Sequence, residues 1–221
     1  MSNHPLLFSA SMMCADYGHL EDEVRKLEDA GIDAFHIDIM DGSFVRNFGM
    51  GIHDLRYIRS VTKKIVECHL MIVEPLNYVD LFADIGVDVL YVHPESEFQT
   101  STTLQRVIES GMMPALAINP GTSIESVLEL FNVVKRVLVM SVNPGHAGQA
   151  FLPYMEKKIR KLISLQDDYG FDLFWDGHGS PENILKYAPL GVSGFVLGTA
   201  ALFGKEQSFK EILCGLREAT R

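Results

Sequence analysis

Short runs rich in β-branched and aromatic residues alternate along this chain with longer amphipathic stretches. A Gly or Pro closes most repeats, at intervals of roughly 25–30 residues. The runs that read as strands are Leu6–Met13, Ala34–Met40, Ile65–Ile72, Val89–His93, Ala115–Asn119, Val137–Val142, Leu173–Asp176 and Gly194–Gly198. Helical periodicity is clearest over His19–Ala30, where Leu20, Val24 and Leu27 recur at spacings of four and three with charges on the opposite face. Gly31, Gly86, Gly111, Gly170 and Gly191 each follow a helical run, at the place where a C-terminal cap takes positive φ. The strands are apolar runs rather than clean alternations, as expected of a parallel sheet buried on both faces.

Eight such units in 221 residues, with no linker or low-complexity tract, predict one (β/α)8 TIM barrel spanning residues 1–221. The competing fold is an open doubly wound sheet, which the absence of a Gly-x-Gly-x-x-Gly opening disfavours. In a closed barrel the chemistry belongs at the carboxyl ends of the strands, so those positions carry the functional reading.

The second strand ends in Ala-Phe-His-Ile-Asp-Ile-Met-Asp-Gly. His36, Asp38 and Met40 alternate with Phe35, Ile37 and Ile39, which puts the polar set on one face, pointing into the barrel mouth. Ionisable groups buried there are costly unless they meet a metal or a partner charge. The third strand places His69 at the equivalent height, with Met71 two residues on, and the seventh ends in Asp176. Each residue alone reads equally as a satisfied core side chain. Together, two imidazoles and two carboxylates from three strands make a four-ligand divalent metal site.

Phosphate chemistry is the second signal. The sixth strand runs into Ser-Val-Asn-Pro-Gly-His-Ala-Gly-Gln, where Gly145 and Gly148 free the backbone to turn several amides toward one anion. Asp176-Gly177-His178-Gly179 and Gly198-Thr199-Ala200 follow the next two strands, the usual phosphate loops of such barrels. A following helix N-terminus is expected to add its dipole.

Composition narrows the partners. Nineteen Lys and Arg against 29 Asp and Glu give a formal net charge of −10, so neither nucleic acid nor an anionic membrane is an expected partner, and an anionic substrate needs a local site. Cys14, Cys68 and Cys214 are widely spaced and form no thiolate metal framework; they read as reduced thiols of a cytoplasmic protein. The N-terminus lacks the features of a signal peptide, and no apolar run is long enough to span a bilayer.

The segments 36–45 (His-Ile-Asp-Ile-Met-Asp-Gly-Ser-Phe-Val), 68–71 (Cys-His-Leu-Met), 119–122 (Asn-Pro-Gly-Thr) and 142–149 (Val-Asn-Pro-Gly-His-Ala-Gly-Gln) closely resemble the ribulose-phosphate 3-epimerase family, in order and spacing, from about Ser9 to Phe203. The resemblance implies a homo-oligomeric isomerase acting on a phosphorylated ketose. It implies one divalent ion (zinc, iron or manganese) on His36, Asp38, His69 and Asp176, with Asp38 and Asp176 also the acid/base pair. It assigns Ser11, His69, Gly145, His146, Ala147, Gly148, Gly177, His178, Gly198 and Thr199 to substrate. Met40, Met71 and Met140 match methionines lining the site, although core filling explains them equally well.

The chain departs from the family pattern at Cys14, Arg46, His146, Ala147, His178 and Thr199. Cys14, the Cys68–Met71 run, His93-Pro94-Glu95, Ala147 and Thr199 look more like the D-allulose-6-phosphate 3-epimerase branch, whereas Arg46, His146 and His178 fit neither. His146 and His178 read as phosphate contacts or as exposed loop residues. The implied reaction is inversion at C3, first of D-ribulose 5-phosphate to D-xylulose 5-phosphate and alternatively of D-allulose 6-phosphate to D-fructose 6-phosphate. A carboxylate on each face of the carbon would move the proton through an enediolate. A decarboxylase of the orotidine or 3-keto-gulonate phosphate type would need a lysine beside the strand-end carboxylates, and Lys63 and Lys64 precede the third strand. The remaining rival is a catalytically weak sugar-phosphate-binding paralogue.

Overall fold

The computed structural model describes residues 5–221. Eight parallel strands close into a barrel in sequence order, β1 pairing with β8. They are β1 (Leu7–Ser11), β2 (Ala34–Met40), β3 (Ile65–Met71), β4 (Val89–Val92), β5 (Met113–Ile118), β6 (Arg136–Met140), β7 (Asp172–Asp176) and β8 (Gly194–Leu197). Each expected strand is present, within three residues of its predicted ends. The helices are α1 (Leu20–Asp29), α2 (Ile52–Val61), α3 (Val79–Ile85), α4 (Thr100–Glu109), α5 (Met155–Tyr169), α6 (Pro181–Tyr187) and α7 (Phe209–Ala219). The chain is a (β/α)8 TIM barrel.

One of the eight units departs from the expected repeat. After β5 the described chain forms no α-helix but a 3₁₀ segment, Leu128–Asn132. In and around it the buried residues Ile124, Val127, Phe131 and Val134 sit three and four apart, and Val127, Leu130 and Val133 donate to carbonyls three residues back. Upstream, Ser123 Oγ accepts from the Ser126 amide while Ser126 Oγ donates to the Ser123 carbonyl, so side chains take up groups a helix start would use.

Local signals set the other elements as expected. In α1, Leu20, Val24 and Leu27 are buried, and Glu21, Asp22 and Glu23 lie in the first turn, favourable to the helix dipole. Ser180 caps α6 with Pro181 in its first turn, and Ser208 and Glu211 form a capping box on α7. Gly31, Gly86, Gly111, Gly170 and Gly191 all have positive φ.

Alternation within the strands divides the molecule into two interiors. Outward residues such as Phe35, Ile37, Cys68, Leu70, Val137 and Trp175 pack under the helices in one large apolar cluster. Inward residues fill the barrel, and their chemistry is lopsided. On the β4–β8 side a small apolar cluster holds Val89, Tyr91, Ala115, Ala117, Leu138, Met140, Phe174 and Val196. On the β1–β4 side the inward positions include Ser9, Ser11, His36, Asp38, Glu67 and His69, all buried.

Those polar groups are affordable because they meet one another. Glu67, fully buried, accepts from Arg136 (Nη1–Oε2, 3.0 Å) and from His36 (Nδ1–Oε1, 2.9 Å), with the Tyr91 hydroxyl 3.4 Å from Oε2. The Arg136 guanidinium lies 4.4 Å from the centre of the Phe174 ring, bridging to the apolar half. Burial alone would raise the Glu67 carboxyl. The His36 hydrogen bond and the charges of His36 and Arg136 outweigh it and hold the group below the ordinary carboxylate range.

Arg136→Met is therefore expected to destabilise the fold by about 3–5 kcal/mol in urea unfolding, because it leaves Glu67 buried with half its compensation. Adding Glu67→Gln should recover much of that loss. A single variant with unchanged stability would mean that the pair does not support the barrel floor.

Candidate functional site

The expected four residues converge at the carboxyl ends of the strands. One donor atom from each of His36, Asp38, His69 and Asp176 lies within 4.8 Å of the others. In-register pairing sets their heights: Asp38 is opposite His69 across β2–β3, and Met140 opposite Asp176 across β6–β7. His69 Nδ1 lies 3.2 Å from Asp38 Oδ1 and 3.6 Å from Asp176 Oδ2. His36 Nε2 lies 3.5 Å from Asp38 Oδ1 and 4.0 Å from Asp176 Oδ2.

The outer atoms of these side chains are already committed. His36 Nδ1 donates to Glu67, which leaves the Nε2 lone pair facing the cluster, buried and without a hydrogen-bond partner. The second oxygen of Asp38 accepts from Ser11 Oγ at 3.1 Å. Asp176 Oδ1 accepts from the Gly177 amide at 2.7 Å, turning Oδ2 inward. An orphaned imidazole nitrogen, a second imidazole and two carboxylate oxygens aimed at one point suit a divalent cation, with Glu67 supplying the outer partner that metal-bound imidazoles require.

The two carboxyl groups differ in protonation tendency. Burial opposes ionisation of Asp38, but the neighbouring imidazoles of His36 and His69 prevail and hold it well below the usual range. Asp176 is pushed up, first by burial and then by the negative charge of Asp38, against the opposing imidazoles. Opposite shifts on neighbouring carboxyl groups suit one to be a base and the other an acid.

Beside this cluster opens a cavity lined by Ser11, Asp38, Met40, Met71, Met140 and Asp176. Across it lie the three glycine-bearing loops, with Gly145–Gly148, Gly177, His178, Gly198 and Thr199 all on the wall. His36 and His69 are fully buried and do not line it. Arg46 is exposed and also stays off the wall.

The loops are built for close backbone approach. Gly177 has φ of 88°, and a Cβ there would sit 2.5 Å from Val142 Cγ2. Its carbonyl is pinned by Trp175 Nε1 at 2.6 Å and by Ser141 Oγ at 2.5 Å. Gln149 clips the β6 loop by donating to the carbonyls of Asn143 and His146 at 2.6 and 2.9 Å. His178, at φ 42°, directs Nδ1 to the Gln149 carbonyl at 3.0 Å, while His146 is exposed at the rim. The expected helix N-terminus is present after β7, where α6 starts at Pro181 just beyond Gly179, but not directly after β8. After β8 the chain makes turns, with Ala201, Leu202 and Phe203 amides donating to the Gly198 carbonyl, and α7 starts only at Phe209.

Several residues of the site escaped sequence reading. Glu67 and His93 stand two residues from inward positions, so the alternation that revealed His36 and Asp38 also marks them. Arg136 looked like a basic residue preceding a strand. Asn47 closes the β2 loop over the β6 loop through a 2.7 Å bond from Nδ2 to the Gly145 carbonyl, a contact between residues 98 positions apart that no local pattern shows.

The model of the ribulose-phosphate 3 epimerase family matches residues 7–203. The chain is 39% identical over 217 residues to the ribulose-phosphate 3-epimerase of Methanocaldococcus jannaschii, covering 95% of this chain and 89% of the relative. It is 34% identical over 220 residues to the Synechocystis enzyme of the same name, covering 98% and 95%, and 33% identical over 206 residues to that of Bacillus subtilis, covering 91% and 94%. Among solved structures, KGPDC from Streptococcus mutans in complex with D-R5P superposes with a TM-score of 0.74 at 12% identity, covering 98% and 97%, a likeness of fold. With the family model matched across the whole barrel and relatives at this identity along nearly their full length, the chain belongs to the ribulose-phosphate 3-epimerase family and is an isomerase that epimerises a phosphorylated ketose.

Proposed function

We propose that the protein interconverts D-ribulose 5-phosphate and D-xylulose 5-phosphate by inverting C3, with Asp38 and Asp176 as the acid/base pair. The observation that carries this reading is two carboxyl groups, Asp38 buried on β2 and Asp176 partly buried on β7, at the wall of one cavity and shifted in opposite directions. The name shared by the relatives supports the choice of pentulose.

Epimerisation next to a ketone needs a proton taken from one face of the carbon and another returned from the opposite face. Asp38, held ionised, is the base in the forward direction. Asp176, whose carboxyl is pushed up by burial and by the Asp38 charge, is the acid, and the two exchange roles in reverse. Ser11 steadies the Asp38 carboxylate through its hydroxyl. His36, Asp38, His69 and Asp176 are the residues that would hold a divalent ion, and the unpartnered Nε2 of His36 is the atom that most needs one. Such an ion supplies Lewis-acid stabilisation of the negative charge on the enediolate. Met40, Met71 and Met140 keep the cavity wall apolar between the carboxyl groups, limiting the water that would compete for the proton.

The glycine loops take the phosphate at the far end of the sugar. Backbone amides provide a local positive field that costs the protein no cationic side chain, consistent with its formal charge of −10. Binding energy from that end orients C3 between the two carboxyl groups.

Proton NMR of ribulose 5-phosphate with metal-replete protein in D₂O should show the xylulose epimer and deuterium entering at C3. Allulose 6-phosphate supplied at the same concentration should react at least about tenfold more slowly, the discrimination expected for an added group worth 1–3 kcal/mol. Faster turnover of allulose 6-phosphate would transfer the assignment to the hexulose, and no exchange with either sugar would leave only a binding role.

Asp38→Asn and Asp176→Asn are each expected to lower kcat by roughly 10²–10⁴-fold, the usual contribution of a positioned acid or base. Metal content measured on the same samples separates loss of proton transfer from loss of the ion. Either variant retaining metal and near-normal turnover contradicts the acid/base pair.

A further inference from the structure

His69 faces the carboxylate cluster with Nδ1, and its other nitrogen points away from the cavity. There Nε2 lies 2.7 Å from Nε2 of His93, the residue that follows β4. Both rings are fully buried, with centres 4.9 Å apart, and Phe44 covers the far side of His93 at 4.9 Å. His93 does not line the cavity, so it is no candidate for contact with substrate.

Two facing imidazole nitrogens at this separation share one proton. If His93 donates, His69 Nε2 must be the acceptor, and the remaining lone pair of His93, on Nδ1, faces a carboxylate. If His69 donates, its Nδ1 is left as a lone pair toward Asp38 and Asp176, and His93 carries its own proton on Nδ1. A carboxylate stands at each end of the pair: Asp38 Oδ1 lies 3.2 Å from His69 Nδ1, and Glu95 Oε2 lies 3.4 Å from His93 Nδ1. Once Asp38 and Asp176 face a cation they no longer draw a proton to His69 Nδ1, and Glu95 then favours a protonated His93 Nδ1 and therefore the second arrangement.

Glu95 is not free to turn away. Its Oε1 accepts from the Thr122 hydroxyl and lies 3.4 Å from the Asn119 amide nitrogen, both on the loop after β5. That loop is anchored in turn by Lys158 of α5, whose Nζ donates to the carbonyls of Asn119, Pro120 and Thr122 at 2.9, 2.6 and 2.6 Å.

We propose that His93 and Glu95 are positioning residues that fix the tautomer of His69, so that its Nδ1 lone pair is presented to a divalent ion. The inference rests on the metal-site reading above and extends it to a relay running from the β5 loop to one ligand. His36 has the parallel arrangement with Glu67, but a carboxylate acts there directly. At His69 an imidazole stands between ligand and carboxylate, and a neutral imidazole has two possible settings. Glu95 removes that choice.

Nitrogen-15 NMR of the zinc-loaded protein, labelled at histidine, tests this. The expected result is a proton on His93 Nδ1 and a coupling across the hydrogen bond from His69 Nε2–H to His93 Nε2. A proton on His93 Nε2 overturns the proposal. If zinc does not bind at all, the metal-site reading fails separately, and in the metal-free protein a proton on His93 Nε2 shows that Asp38 rather than Glu95 sets the pair and refutes the relay.

Zinc affinity, read by competition with a chelator, supplies the second arm. His93→Phe should weaken binding by about 10–100-fold, the range typical of lost outer partners. His93→Gln, whose carbonyl can accept at the Nε2 position, should restore affinity to within about threefold of the parent, since only the acceptor is needed. Unchanged affinity in His93→Phe, or equal losses in both variants, contradicts the relay. Should His93→Phe not fold, the NMR result decides alone.

Discussion

A carboxylate in the middle of a barrel must be compensated from every side, and Glu67 shows how this chain meets that constraint. Arg136 reaches it from β6 and His36 from β2, and both bonds exist only when the barrel is closed in its observed register. The same bond that satisfies Glu67 sets the direction of His36. The floor of the barrel and the orientation of the site above it are therefore one arrangement. Inward polar groups form a column from Glu67, held by Arg136 of β6, up to Asp38 and Ser11 on β2 and β1, and the apolar half on β4–β8 excludes water from it. Low water content strengthens each bond and raises the cost of leaving any member unpaired.

The upper end of that column is where compensation by the chain's own groups stops. His36 Nε2 has no partner among the described residues, Asp176 is pushed toward its neutral form, and Asp38 is drawn toward its charged form. Such unbalanced groups mark chemistry rather than support. Around them the fold supplies stiffness: the β2 loop is tied to the β6 loop through Asn47, the β6 loop to the β7 loop through Gln149 and His178, and the β4 loop to the β5 loop through Glu95. Under the proposed function, phosphate recognition by neutral amides and proton transfer by Asp38 and Asp176 would need no basic surface, which would suit an acidic protein to an anionic substrate.

Much of this was legible in the chain. Period-two alternation on β2 placed His36 and Asp38 inward, and the spacing of apolar runs predicted eight strands that all formed. Glycine spacing located three loops that share a cavity. The failures have physical causes. The stretch after β5 carries apolar residues at helical intervals, yet Ser123 and Ser126 divert backbone groups and the segment folds as a 3₁₀ turn. Glu67 went unread because attention stopped at strand ends, while this compensating group lies one layer deeper; His93, at the end of the expected fourth strand, was given no role because His69 and Glu95 meet it only in the fold. Contacts such as Asn47 to Gly145 depend on barrel closure and have no local signature. His69 shows the difference between belonging to a site and lining it, since its ring is wholly buried behind the cavity wall.

The four strand-end residues should form one cation site at the top of the buried polar column. Anomalous diffraction from crystals grown with zinc tests it most directly. The account predicts a single strong peak, about 2.0–2.2 Å from His36 Nε2, His69 Nδ1 and one oxygen each of Asp38 and Asp176. A peak elsewhere, or none at this position in crystals with zinc in excess, would contradict it.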